Sequence, residues 1–109
     1  GLEEVKRNIA LTGYPSEKIH FVQGDILKTI PATLPGQTAL LRLDTDWYES
    51  TKHEMEQLYP LLVSKGVLII DDYGFWKGSR KAVDEYLAAN QIGILLHRMD
   101  ETGRSAVKP

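Results

Sequence analysis

The sequence contains no cysteine, and this absence excludes several kinds of site. Without thiols there is no disulfide scaffold, no thiolate zinc site and no cysteine nucleophile. The sequence also lacks a large excess of either charge. It has 13 Lys and Arg residues and 15 Asp and Glu residues, for a net charge of −2. So balanced a charge provides no basic surface for nucleic acid, and we expect no nucleic-acid partner.

Long hydrophobic runs are absent as well. No apolar run exceeds about five residues, which is too short for a membrane-spanning helix, and no signal peptide opens the sequence. We therefore expect a cytoplasmic protein with no membrane partner. The content of 42% hydrophobic and 26% charged residues is typical of a globular protein. A length of 109 residues corresponds to one domain or to part of one.

Glycine-rich motifs are the third absence. The nine glycines are dispersed at turns, and none forms a G-x-G-x-x-G, a P-loop or a G-x-S-x-G motif. The usual cradle for a nucleotide-like cofactor is therefore missing from these residues.

Hydrophobic periodicity predicts helices alternating with strands. Three helices are predicted, at residues 2–12, from Thr51 to Gly66 with a break near Pro60, and from a Ser79 cap to Asn90. Thr51 and Glu54 have the spacing of a capping box. Residues 28–37 contain two prolines and a glycine, which predicts a loop with at most one helical turn.

The strands are predicted from short β-rich runs. They lie at residues 19–23, 38–44 and 67–70, and a closing hairpin covers 94–107. Residues 38–44 are nearly all apolar, so we expect this strand to be covered on both faces. The alternation indicates an α/β fold with a mostly parallel sheet and an antiparallel last strand.

Acidic residues follow two successive predicted strands, as Asp44-Thr45-Asp46 and as Asp71-Asp72. Neighbouring parallel strands lie about 4.8 Å apart, and ligands bind α/β sheets at the carboxyl ends of the strands. Carboxylates gathered there repel one another unless a hard cation such as Mg²⁺ or Ca²⁺ binds them. The alternative is that each Asp caps a helix or lies in a solvated loop.

Other side chains near these acids also suggest chemistry. His53 falls within reach of the acids or lies in solvent, and Arg42 needs a partner if it is buried. Aromatic residues flank the acids and either stack on a sugar or nucleobase or pack in the core. They are Trp47, Tyr48, Tyr73, Phe75 and Trp76.

A family resemblance becomes visible at the acids. The segments L-R-L-D-T-D-W-Y-E-S-T (41–51), G-V-L-I-I-D-D-Y-G (66–74) and R-K-A-V-D (80–84) resemble macrocin-type (TylF-like) O-methyltransferases. The likeness extends over essentially the whole chain. It implies a class I methyltransferase (Rossmann-like) fold and an enzyme that uses S-adenosylmethionine and Mg²⁺ to methylate sugar hydroxyls of natural products.

The resemblance also implies roles for individual residues. Asp44, Asp71 and Asp72 match the metal ligands of the family, and Asp46 matches its general base. Asp25 and Ile26 match the place where the fold contacts the adenine of S-adenosylmethionine. In such a site the metal orients the substrate hydroxyl and lowers its pKa, and a carboxylate removes the proton.

Because the glycine-rich loop is absent, the resemblance implies that residues 1–109 are the C-terminal portion of a single methyltransferase domain. The N-terminal cofactor-binding half is then missing, and we expect the chain alone to be inactive. An exposed sheet edge would favour homo-oligomers. Two alternatives remain: a Mg²⁺-dependent phosphoryl-transfer domain, and a catalytically silent, self-associating domain.

Overall fold

A computed structural model describes all residues from Gly1 to Pro109. In chain order its elements are α1 (Leu2–Ala10), α2 (Ile26–Ala32), β1 (Thr38–Leu43), α3 (Tyr48–Leu58), β2 (Leu62–Ile70), α4 (Lys77–Ala89), β3 (His97–Arg98) and β4 (Arg104–Val107). Short 3₁₀ turns lie at Ser16–Lys18 and Tyr59–Leu61. None of the helices combines the length and the apolar character needed to cross a lipid bilayer.

The four strands form one sheet in the order β1-β2-β4-β3. β1 and β2 are parallel, with Leu43 opposite Ile70, whereas β4 runs antiparallel to both β2 and β3. Three strands therefore point in one direction and the last strand opposes them. This arrangement confirms the predicted α/β fold with a mostly parallel sheet and an antiparallel last strand.

The core lies on one face of the sheet, where α3 and α4 pack. Leu41, Leu68 and Ile70 from the strands meet Met55 of α3 and Val83 of α4 in this core. On the opposite face the side chains are open, and Leu40 and Val107 are each 57% exposed. The prediction that residues 38–44 are covered on both faces is therefore wrong, because helices pack against only one side of this sheet.

The segment before β1 also differs from the sequence prediction. Residues 19–23 form no strand, because β1 pairs only with β2 and no strand lies beside this segment. The loop predicted at residues 28–37 instead begins within α2, whose first turn is capped by the side chain of Asp25. α2 is irregular, since Ile30 has non-helical backbone angles.

Two helix starts and one strand start are displaced from their predicted positions. α3 begins at Tyr48 and α4 at Lys77, so that Thr51 and Ser79 lie inside helices and are buried. They do not cap helices as the sequence suggested. β2 begins at Leu62 rather than at residue 67, and the Lys65 N–H donates to the Lys108 carbonyl at 2.8 Å.

Gly74, in the loop after β2, lies against the chain that leads into β4. A Cβ at this position would overlap the Glu101 carbonyl oxygen, and the Gly74 N–H donates to the Thr102 carbonyl at 2.8 Å. We expect Gly74→Ala to lower the free energy of unfolding by about 1–3 kcal/mol, since backbone must move to admit the methyl group. Urea unfolding measures this change.

Gly36→Ala is the matched control, because a Cβ at residue 36 has no atom within 4 Å. Its effect should stay within about 0.5 kcal/mol. Equal unfolding midpoints for the two variants would show that the loop after β2 does not contact the chain before β4.

Candidate functional site

The two acidic doublets meet at one edge of the sheet. β1 and β2 end side by side, and the Asp71 N–H donates to the Leu43 carbonyl at 2.9 Å. Carboxylate oxygens of Asp44, Asp46 and Asp72 all lie within 4.8 Å of one another. Asp46 joins the cluster although its backbone is left-handed, with a φ of 66°, three residues beyond the end of β1. We call Asp44, Asp46 and Asp72 the acid cluster.

Asp71 lies beside the acid cluster and is held by Arg42. The Arg42 guanidinium donates to Asp71 Oδ1 at 2.9 Å and lies 3.3 Å from Asp44 Oδ2. This hydrogen bond holds the pKa of Asp71 below its usual value. Arg42, for which the sequence offered no partner, therefore links the two acidic doublets, while the metal role of Asp71 stays a prediction.

Asp72 is the most strongly perturbed acid. Partial burial, followed by the adjacent Asp46 carboxylate, raises the pKa of Asp72 to about 7. Its Oδ2 atom is buried and has no hydrogen-bond partner. Carboxylates this close repel one another. A bound cation would reduce this repulsion and would give the unpaired Oδ2 atom a partner. Because Mg²⁺ takes oxygen ligands, this donor set fits the metal that the resemblance implies.

A hydrogen-bonded pair beside the acid cluster, half-buried Thr45 and buried Glu54, was not identified from the sequence. The Thr45 hydroxyl donates to the carboxylate of Glu54, which is only 3% exposed. Burial raises the pKa of Glu54. The Ser50 hydroxyl also donates to the Thr45 carbonyl at 3.2 Å. These contacts hold the loop between β1 and α3, and Glu54 was overlooked because its spacing from Thr51 indicated a capping box.

The two residues predicted to contact the cofactor lie at the start of α2. Asp25 Oδ1 accepts a hydrogen bond from the Leu27 N–H at 2.9 Å, so its carboxylate caps the helix. Ile26 lines a cavity of about 890 Å³ that also reaches Thr45, between the two halves of the first acidic doublet. The cavity therefore extends from Ile26 to the residue between Asp44 and Asp46, although no member of the acid cluster lines it. The cofactor role of Asp25 and Ile26 stays a prediction.

His53 takes no part in the acid cluster. Its Nε2 atom lies 2.6 Å from the Ile30 carbonyl oxygen, in a half-buried contact that joins α3 to α2. The hypothesis that His53 lies in solvent is wrong, because its ring is half-buried and hydrogen-bonded to the Ile30 carbonyl. His53 supports the wall of the cavity instead.

Known proteins resemble this chain in both sequence and structure. A tetracenomycin-C derivative 4'-O-methyltransferase of Streptomyces olivaceus, whose substrate name includes a dimethoxyrhamnosyl group, is 36% identical over 102 residues, which are 94% of this chain and 39% of that protein. Demethyldecarbamoylnovobiocin O-methyltransferase of Streptomyces niveus is 37% identical over 101 residues, covering 93% of this chain and 38% of that protein.

Among solved structures, the O-methyltransferase NovP superposes with a TM-score of 0.92 at 35% identity, over 97% of this chain and 44% of that chain. The fold is accordingly that of the class I methyltransferases. This chain spans about two fifths of the length of the curated relatives that it matches. The family model for macrocin O-methyltransferases (TylF) matches residues 1–106, and the chain therefore belongs to this family of enzymes.

Proposed function

We propose that this chain is the acid-bearing part of an O-methyltransferase that uses S-adenosylmethionine and Mg²⁺ to methylate a sugar hydroxyl of a natural product or glycan. The observation that carries the proposal is the acid cluster with the unpaired Oδ2 of Asp72. Membership of the macrocin O-methyltransferase family favours it over phosphoryl transfer. The rhamnosyl group in one relative's name supports a sugar acceptor.

In this proposal Asp44, Asp71 and Asp72 hold the metal. Asp71 must then turn from Arg42 towards the acid cluster. The ion pair that it leaves joins side chains that are 55% and 39% exposed, and exposed pairs of this kind contribute little to stability because solvent screens them. A Mg²⁺ contact offsets that loss, so the present position of Asp71 is compatible with a role as ligand.

Asp46 is then free to act as the general base. A bound Mg²⁺ would orient the acceptor hydroxyl and lower its pKa. Asp46 would accept the proton of the acceptor hydroxyl. S-adenosylmethionine, when bound, would supply the methyl group to the acceptor oxygen as the methyl–sulfur bond breaks, so that the products would be the methyl ether, S-adenosylhomocysteine and a protonated Asp46. Alignment of the reacting atoms supplies much of the rate.

For the cofactor, this chain would provide Asp25 and Ile26, of which Ile26 lines the cavity of about 890 Å³. It provides no glycine-rich loop. We therefore propose that residues 1–109 correspond to the C-terminal portion of the methyltransferase domain, and that tight cofactor binding and activity require the cofactor-binding half.

Isothermal titration calorimetry with Mg²⁺, followed by S-adenosylmethionine, tests the proposal on the chain itself. We expect saturable Mg²⁺ binding and no measurable binding of the cofactor. Asp44→Asn and Asp71→Asn should each weaken Mg²⁺ binding about tenfold or more, because each removes a charged ligand. Asp46→Asn should weaken it much less if residue 46 is the base.

Glu17→Gln is the control, since Glu17 is exposed in the 3₁₀ turn away from the acid cluster. It removes one negative charge and should leave Mg²⁺ affinity unchanged. Absence of binding by either ligand would favour the catalytically silent domain. An unchanged affinity in Asp71→Asn would remove Asp71 from the ligand set.

A further inference from the structure

We infer that three aromatic rings beside the acid cluster form a binding surface for the apolar C–H face of the acceptor's pyranose ring. The rings belong to Trp47, Phe75 and Trp76, which we call the aromatic platform. The inference rests on the proposed function and adds to it the part of the site that would hold the sugar.

The three rings contact one another in one continuous cluster. The Trp47 and Trp76 ring centroids lie 5.2 Å apart at an interplanar angle of 47°, and Phe75 meets Trp76 edge to face at 4.8 Å. Trp76 therefore forms the centre, with one ring on each side. Trp47 and Phe75 are each 64% exposed, so the platform is not part of the core.

The backbone attaches this platform to the acid cluster. Trp47 directly follows Asp46, and the N–H of Trp76 donates to the Asp72 carbonyl at 2.9 Å. Close packing of the two helix starts brings the rings together, because a Cβ on Gly78 would lie 3.0 Å from the Tyr48 nitrogen. The platform is thus fixed relative to the proposed metal ligand Asp72 and the proposed base Asp46.

The chemistry of this arrangement suits a neutral sugar. A pyranose presents C–H groups on one face and hydroxyls around its rim. Aromatic rings attract the C–H face through their electron-rich surfaces, and neighbouring carboxylates accept hydrogen bonds from hydroxyls. An anionic ligand such as a nucleotide would instead meet the negative charge of the acid cluster. Exposed aromatic surface of this kind commonly marks a binding site.

The tryptophan content allows a direct test by NMR. The chain has two tryptophans, and both belong to the platform, so a ¹⁵N–¹H spectrum shows two indole N–H signals that both report on it. Titration with methyl α-L-rhamnopyranoside, in the presence of Mg²⁺, should shift both signals and saturate. Trp47→Ala should weaken the binding, followed through the Trp76 signal, by about fivefold, as expected for one lost aromatic contact.

Leu95→Ala is the matched control, because Leu95 is 82% exposed but belongs to a different surface near β4. It should leave the affinity for the rhamnoside unchanged. Indole signals that do not move would overturn the inference, as would signals that move with adenosine but not with the rhamnoside. Shifts of the backbone amides of residues 44–46 on adding Mg²⁺ alone report the proposed metal site separately. Failure of that response would contradict the proposed function and not the platform.

Discussion

Replacing Asp72 with Asn is expected to abolish Mg²⁺ binding and, at the same time, to stabilise the metal-free protein at pH 8. The two effects have one cause. Asp72 lies among other carboxylates with a buried, unpaired Oδ2 atom, so its negative charge is unfavourable until a cation arrives. Asn keeps the size of the side chain but removes the charge that binds Mg²⁺ and that repels Asp44 and Asp46.

The stabilisation of the metal-free protein by Asp72→Asn should increase as the pH rises. The pKa of Asp72 in the metal-free fold is raised to about 7, whereas the pKa of an Asp in an unfolded chain is about 3.9. The folded state therefore binds the proton more tightly than the unfolded state between these values. The contribution of protonated Asp72 to the free energy of unfolding is therefore full below about pH 4, falls as the pH rises, and is lost above about pH 7.

Thermal unfolding of both proteins between pH 4 and pH 8, with and without Mg²⁺, measures these effects. Without metal, the melting temperatures should agree at pH 4, and Asp72→Asn should melt higher at pH 8. With Mg²⁺ at pH 8, only the parent chain should gain stability, because a ligand that binds the folded state shifts the equilibrium by mass action. A variant that still gains stability from Mg²⁺ would exclude Asp72 as a ligand.

The sequence was sufficient to predict the edge at which the acids meet. β1 and β2 are short apolar runs that each end in acids, and parallel pairing of such strands places their ends together. It could not predict that Arg42 holds Asp71, because that contact depends on how two neighbouring strands are aligned. The convergence of Asp46 with the other acids was predicted, but its left-handed backbone, at φ 66°, was not.

The errors in predicting secondary structure have a common physical origin. Local pattern identified residues 19–23 as a strand, but a strand also needs a neighbour, and none lies there. The start of α3 was assigned to Thr51 because its spacing from Glu54 is that of a cap. In the fold both side chains are buried, and Glu54 accepts its hydrogen bond from Thr45. Tertiary packing thus determined whether these local sequence patterns formed a strand or a helix cap.

Leu68→Ala is expected to cause the largest loss of stability of any change considered. Leu68 is 0% exposed in the central strand β2, paired with Leu41 on one side and Ala106 on the other. Truncation of such a side chain lowers the free energy of unfolding by about 2–5 kcal/mol. The whole free energy of unfolding of a small domain is only about 5–15 kcal/mol. The one-sided core has ten buried residues in its cluster, so few other contacts remain to compensate.

Leu40→Ala makes the same chemical change on the opposite face of the same sheet. Because Leu40 is 57% exposed, its truncation should cost no more than about 0.5 kcal/mol. Urea unfolding at low protein concentration measures both variants. Equal losses would show that the second face is covered in solution, which contradicts the one-sided core described above.

The sequence predicts self-association through an exposed sheet edge, and β1 is an edge strand of the sheet. Repeating the measurement at high protein concentration tests whether such association also covers the open face that carries Leu40. A second copy that covers Leu40 would make the cost of Leu40→Ala rise with concentration, since association stabilises the folded chain by mass action. The cost of Leu68→Ala should not change, because its surroundings belong to a single chain. A cost for Leu40→Ala that is independent of concentration would mean that this face does not mediate the association.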